Sequence, residues 1–206
     1  MIVKRQKKYY KKIKFNSIHL FTALVFWFLW TPNYCQESKK YTDLQNALEN
    51  IDSVFILDLS GKRISSLPKE IGEFINLKSL NLKNNKLSNL PKECQQLSNL
   101  QSIDLSKNRF KEFPCLLGSL ENLKKIILNR NLLNHIPDSI NQFKNLEYLD
   151  LWSNEIKHVS KSIGELKKLE EIDLRVIMFS KEEKDRINKL LPNCEIHFSN
   201  SCNCGY

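Results

Sequence analysis

The sequence predicts an α/β solenoid, in which six stacked units each contribute a short strand and an irregular or short helical return arm. Three observations carry that reading. An eleven-residue pattern, LKSLNLKNNKL from Leu77, recurs at Leu100, Leu123 and Leu146, with one step back at Val54 and one step on at Leu169. The starts 54, 77, 100, 123, 146 and 169 keep a 23-residue period with no insertion, and a fixed period of that length marks a solenoid. Both ends then depart from the pattern where a stack needs lids.

Each column of the repeat has its own physical role. Leu57, Leu80, Ile103, Ile126, Leu149 and Ile172 are followed two residues later by Leu59, Leu82, Leu105, Leu128, Leu151 and Leu174. That spacing sets both rows on the inward face of a strand. Asn85, Asn108, Asn131 and Asn154 follow the strands as a ladder, where an amide able to donate and accept can satisfy backbone groups bared by the turn. Pro68, Pro91, Pro114 and Pro137 open the return arms. Behind them Ile71, Cys94, Leu117, Ile140 and Ile163, then Phe74, Leu97, Leu120, Phe143 and Leu166, form two more inward columns. No unit buries its own face, so stacking makes the core.

The ends follow. Residues 36–53 are assigned to an N-terminal capping helix, with Leu44, Ala47, Leu48 and Ile51 at helical spacing and Thr42 or Asp43 as N-cap. Repeats occupy 54–179, with Lys62 and Ile177 replacing the ladder asparagine in the outermost units. A C-terminal cap spans 180–198: a capping box at Ser180–Glu183 opens a helix that Pro192 stops, and Cys194, Ile196 and Phe198 then alternate as an edge strand. Residues 199–206 read as a loose tail containing Cys202 and Cys204.

Residues 1–35 are a different kind of sequence. Lys4, Arg5, Lys7, Lys8, Lys11, Lys12 and Lys14 precede an apolar run over 18–30. That run is short of the roughly 20 residues that span a bilayer, and basic, apolar, then polar is the layout of a secretory signal peptide. The boundary falls between Cys35 and Gln36, although Asn33 is not the small residue such a site prefers. An uncleaved signal anchor and lipidation at Cys35 remain alternatives; Pro32-Asn33-Tyr34 lacks the Leu and small residue of a lipobox. The layout predicts export to periplasm, envelope or medium; the other placements are a membrane-anchored or a cytoplasmic chain. The leader holds seven cations and no acid, so the formal charge of the remainder is +9 − 7 = +2, which leaves no case for nucleic acid as a partner.

Cysteine placement argues against a disulfide framework. Cys94 falls in an inward column, Cys194 on the inward side of the last strand, and Cys115 on an exposed stretch of return arm. No disulfide is assigned.

Catalytic and cofactor signatures are missing: no G-x-S-x-G, no H-E-x-x-H, no glycine-rich phosphate loop and no paired C-x-x-C. The chain reads as non-enzymatic, without cofactor. Glu112, His135 and His158 share the thirteenth place of consecutive units, about 5 Å apart rung to rung. Two imidazoles and a carboxylate suit a divalent ion, but Ser66 and Asn89 fill the same outward turn place elsewhere, so an ordinary polar surface position is the preferred reading.

Binding is expected on the outward-pointing strand residues, which face the concave surface. Most are small or polar; Ile127, Tyr148 and Trp152 are not, and they cluster on adjacent strands. Tyr148 and Trp152 are about 13 Å apart on one strand face, the composition of an interface hot spot. With Lys125, Asn129, Arg130 and Asp150 they make the candidate ligand-binding patch for a protein or peptide, on a chain acting as a monomer. Stacking of a carbohydrate on Tyr148 and Trp152 is the alternative from another class.

The repeat text LPKEIGEFINLKSLNLKNNKLSNLPKECQQLSNL, with its LP-x-x-I-x-x-L-x-N-L spacing, resembles the Ras-suppressor/erbin-type leucine-rich repeats. With the leader, DLQNAL before the first unit and LPNCEIHF after the last, it is similar to secreted bacterial leucine-rich repeat proteins over roughly Tyr41 to Phe198. The resemblance implies a right-handed solenoid with a parallel sheet on its concave side, and a binding role. Eukaryotic relatives suggest an intracellular signalling scaffold as the alternative. Ser160 in place of the fifth repeat's proline, Lys62, and the drifting sixth unit are departures. The family shares an architecture rather than a ligand.

Overall fold

Why these residues form strands is visible in the column chemistry: two inward apolar side chains per rung, separated by an outward polar one, suit a three-residue strand and little more. In the computed structural model, which describes residues 39–199, the strands are β1 (Lys40–Tyr41), β2 (Ile56–Asp58), β3 (Ser79–Asn81), β4 (Ser102–Asp104), β5 (Lys125–Ile127), β6 (His135–Ile136), β7 (Tyr148–Asp150), β8 (His158–Val159), β9 (Glu171–Leu174) and β10 (Glu195–Phe198). Eight of them form one parallel sheet in the order β1-β2-β3-β4-β5-β7-β9-β10. From β2 to β9 each residue pairs with the residue one period on, as in Leu57 with Leu80, Leu80 with Ile103 and Ile103 with Ile126.

All the inward columns named from the sequence are buried, and they join in one core. Five return arms contain short 3₁₀ turns, Lys69–Glu73, Lys92–Gln96, Cys115–Ser119, Asp138–Gln142 and Lys161–Glu165, each following its proline or, in the last case, Ser160. Ser160 offsets the missing proline with its side chain: the hydroxyl accepts from the Ser162 amide at 3.1 Å and donates to an Asp138 carboxylate oxygen. Stacking of these arms is tight. A Cβ on Gly72 would lie 2.4 Å from Gln96 Oε1 and 2.7 Å from the Glu93 carbonyl, so only glycine fits.

The asparagine ladder closes the turns. Asn108 donates to the Leu82 and Leu105 carbonyls at 2.9 and 3.0 Å while its Oδ1 accepts the Leu87 amide at 3.0 Å. Asn85, Asn131 and Asn154 repeat the arrangement one rung apart. Each shared carbonyl therefore receives two asparagines: Leu105 O is taken by Asn108 and Asn131, Leu128 O by Asn131 and Asn154. A second, exposed ladder runs along the opposite edge, where Asn76, Asn99, Asn122 and Asn145 donate to the Asp52, Ile75, Ser98 and Glu121 carbonyls.

The lids are close to expectation, with corrections. Helix α1 (Leu44–Leu48) is N-capped by Asp43, whose side chain accepts from the Asn46 amide at 2.9 Å. It is shorter than the 36–53 assignment because β1 precedes it and a 3₁₀ turn, Ile51–Ser53, ends the segment. Tyr41 is buried against the core, with its hydroxyl 2.8 Å from Ser53 Oγ. Helix α2 (Lys181–Leu190) starts at Ser180, whose hydroxyl accepts from the Glu183 amide at 3.2 Å. The reciprocal arm of the box is not made: the Glu183 carboxylate instead holds Arg186, at 2.6 and 2.7 Å. Ser199, first residue of the expected tail, is tied in, its hydroxyl accepting the Val176 amide at 2.6 Å. The expected leader, with Cys35, and the tail cysteines Cys202 and Cys204 lie outside the described residues.

Candidate concave binding site

Five of six rungs carry Asp or Asn at the fifth place of the repeat, and each folds the strand end in the same way. The side chain accepts the amide two residues on: Asp58 from Ser60, Asn81 from Lys83, Asp104 from Ser106, Asp150 from Trp152 and Asp173 from Arg175, at 2.8–3.0 Å. Such turns are a short polar side chain's alternative to further pairing. The fourth rung has Ile127 there. It forgoes the turn and leaves a half-buried apolar side chain between Asp104 and Asp150 in the register.

Around Ile127 the predicted residues do come together, though not as bare aromatics. Lys125 pairs with Tyr148 across the strands and sets its ammonium 4.4 Å from the ring centroid. Arg130 places its guanidinium 4.4 Å from the Trp152 ring centroid. Both rings are half-buried. Arg130 reaches Trp152 because its backbone is left-handed, at φ 54°. The same eighth place is left-handed in every repeat, at Gly61, Asn84, Lys107, Ser153 and Val176 as well.

Asp150 changes role. It is 8% exposed; Asn129 Nδ2 donates to its Oδ2 at 2.5 Å and the Trp152 amide to its Oδ1 at 3.0 Å. Both Asp150 oxygens are occupied from within, so Asp150 orients Trp152, and Asn129 has its Nδ2 committed to Asp150. Burial pushes the Asp150 carboxyl above its ordinary range, with Asp173 and Asp104 adding to it against the two hydrogen bonds. Burial likewise raises the Tyr148 hydroxyl, helped by Asp150, Glu171 and Asp173.

The bordering charges are largely matched. Lys124 pairs with Glu147 at 2.8 Å, Arg175 with Asp173 at 2.6 Å, and His197 lies 3.1 Å from Glu171. The patch is thus a strip of two cation-covered rings and one isoleucine, framed by internally paired acids.

Of the metal alternative, His135 and His158 do stack rung on rung, as Cα partners, but in a two-stranded sheet formed by β6 and β8 rather than on a turn. His135 Nδ1 is engaged by Asn134 Oδ1 at 2.5 Å. Among the described residues no three His, Cys, Asp or Glu side chains gather as a metal site. Cys115, read as exposed, is half-buried against the core and its Sγ accepts from Ser139 Oγ at 2.9 Å.

Period, parallel sheet and inner asparagine ladder define a leucine-rich repeat protein. The family profile described as "leucine-rich repeat region" matches residues 37–197, and the chain belongs to that family. No curated protein matches it significantly. Among solved structures it is similar to a leucine-rich repeat protein of Leptospira interrogans, at 29% identity over 78% of this chain and 54% of that one, with a TM-score of 0.48. An internalin (inlF) from Listeria monocytogenes shares 16% identity over 77% of this chain and 53% of its own, TM-score 0.55. Internalin C2 of the same species shares 18% over 75% and 77%, TM-score 0.52. The chain spans about half the length of the first two, and the internalin likeness shows the fold.

Proposed function

We propose that this chain is a non-enzymatic recognition module that binds a protein or peptide on its concave face, through Ile127, Tyr148 and Trp152 with Lys125 and Arg130. The leucine-rich repeat fold is typical of protein-interaction modules, and that is the frame for the reading. The observation that supports it is the local break in the repeat: the rung that gives up its Asx turn for Ile127 is flanked by the aromatic residues of the outward concave columns. Rings held in place by a cation on one face and by a buried Asp150 turn lose little entropy on binding, which favours affinity. Stacking of a neutral sugar is less favoured, because Lys125 and Arg130 each cover a ring face. Export is part of the proposal and rests on the basic-then-apolar leader; among the described residues no helix is long and apolar enough to cross a membrane.

The test is a comparison of the wild-type chain with a Tyr148→Ala/Trp152→Ala double variant, each immobilised and exposed to extracellular protein, with retained species quantified by mass spectrometry. Two hot-spot residues together account for about 30-fold or more in affinity, so specifically retained species should fall away while the circular dichroism spectrum holds. An unchanged set of retained proteins would discard the site. Retention of glycans instead, lost in the same variant, would replace protein by carbohydrate as the ligand.

A further inference from the structure

A net charge near +2 outside the leader conceals a strong separation of sign. The turns that follow the first three full strands, 59–66, 82–89 and 105–112, contain Lys62, Arg63, Lys83, Lys86, Lys107, Arg109 and Lys111, against a single carboxylate, Glu112, at the far end. All seven are exposed. None of them forms an ion pair among the described residues, whereas Lys40, Lys124, Lys144, Arg175 and Arg186 do. The other carboxylates of the same repeats sit elsewhere. Glu70, Glu73 and Glu93 are on the return arms, and Asp58 and Asp104 are engaged in their strand-end turns.

The array is rigid. Turn is hydrogen-bonded to turn: the Gly61 amide donates to the Lys83 carbonyl, Asn84 to Ser106, Lys86 to Ile64, and Arg109 to Leu87, all at 2.8–2.9 Å. Arg63, Lys86 and Arg109 occupy the tenth place of successive repeats, so their backbones are stacked at the ladder spacing of about 5 Å. That is inside a Debye length of about 8 Å at physiological salt. Unneutralised cations at this spacing repel one another, and an anionic chain lying along the solenoid axis relieves the repulsion with no backbone ordering to offset.

We propose that this lateral turn face is a binding site for a linear sulfated polysaccharide, separate from the concave aromatic patch. A chain with anionic groups on successive sugars matches a straight row of cations on successive rungs. Nucleic acid fits less well. The turn face has no exposed aromatic side chain for base stacking, Phe110 being buried, and no helix or ribbon to enter a groove. Of the chain's own acids in the C-terminal half, Glu147, Asp173 and Glu171 are already committed to Lys124, Arg175 and His197.

The test uses heparin as probe and the full chain throughout, so that the leader's seven cations are common to every variant. Heparin affinity is measured against salt for the wild type, for Arg63→Ser/Lys86→Ser/Arg109→Ser, and for a control of equal charge loss, Lys157→Ser/Lys161→Ser/Lys189→Ser. The array variant should lose at least about tenfold in affinity, with its log–log salt slope reduced by about 2 to 3, as for loss of three ionic contacts. The control and the Tyr148→Ala/Trp152→Ala variant should retain wild-type affinity; retention by the latter separates this site from the concave one whichever fails. Equal losses in array and control variants would reduce the effect to net charge and overturn the site. Single-stranded DNA of matched charge binding the array as tightly as heparin would overturn the sulfated-polysaccharide assignment. Salt-sensitive self-association of the wild type, lost in the array variant, would assign the face to a second copy instead.

Discussion

Replacing Asn131 by alanine isolates what the inner ladder contributes. Its side chain is 5% exposed and serves three backbone groups closely: it donates to Leu105 O at 3.0 Å and Leu128 O at 2.9 Å, and accepts the Phe110 amide at 3.0 Å, with a longer contact to Asn129 O at 3.4 Å. The three do not suffer equally on its removal. Leu105 O keeps Asn108 and Leu128 O keeps Asn154, so each carbonyl loses one of two donors, a net cost of about 0.5–1 kcal/mol apiece. The Phe110 amide loses its side-chain acceptor inside the core, which costs about 1–3 kcal/mol. The sum is about 3 kcal/mol. The outer ladder supplies the control: Asn122→Ala removes one exposed bond to Ser98 O, for about 0.5 kcal/mol. Urea unfolding of the two variants, with unchanged m-values, measures both. Losses within about 1 kcal/mol of each other would refute the claim that burial of the shared amides, and not the number of asparagines, stabilises the turns.

Val176 is β-branched, 55% exposed and left-handed at φ 62°, a strained combination that asparagine tolerates; Val176→Asn should raise stability by about 1 kcal/mol in the same urea assay. Burial raises the Asp58 carboxyl, but Lys40 at 2.6 Å and the Ser60 hydroxyl and amide outweigh it and hold the pKa at about 2. A carboxyl depressed from 3.8 stabilises fully above pH about 4 and loses that contribution as pH falls toward 2. With Lys40 half exposed, Lys40→Met should cost about 1 kcal/mol at pH 5 and almost nothing at pH 2, and parallel losses at both pH values would count against the pair. Burial pushes the Cys94 thiol up to about 12 and the Cys194 thiol up to about 11. Iodoacetamide at pH 8 should therefore leave Cys94 unmodified, by peptide mass mapping, until the protein is unfolded.

What the sequence made legible was whatever the period repeats with one chemistry. Leucine or isoleucine at the fourth place, leucine at the sixth, asparagine at the ninth of the inner rungs and proline before most return arms meet the same surroundings from rung to rung, so pattern and environment coincide. The left-handed eighth place is not legible in the sequence because Gly61, Asn84, Lys107, Arg130, Ser153 and Val176 have no side-chain property in common; what they share is a backbone angle in the turn that follows each strand. Strand β1 is two residues long and pairs sixteen residues ahead rather than one period, so no repeat announces it. The half-made capping box failed for a tertiary reason: Arg186 also reaches the Val159 carbonyl, and that position draws Glu183 away from the helix start.

At the concave site the sequence could name the cluster but not its internal order, because the order depends on offsets between rungs. Lys125 and Tyr148 are both third-place residues and meet across paired strands. Arg130 and Trp152 occupy the eighth and seventh places, and only the left-handed turn brings guanidinium over indole. Asp150 then follows from its neighbour. With Ile127 unable to close its own turn, Asn129 turns across to the next rung and takes the Asp150 oxygen that the Trp152 amide leaves open. One substitution in a column thus reorganises two rungs. It sets a half-buried apolar side chain between two acids, ties Asn129 to Asp150 and fixes an indole, and those three changes fall together at one place on the sheet. Restoring the column with Ile127→Asp should free Asn129 from Asp150 and loosen Trp152, seen as a red-shifted indole emission without loss of the far-ultraviolet spectrum. An unmoved emission would mean that Trp152 is held by Arg130 alone.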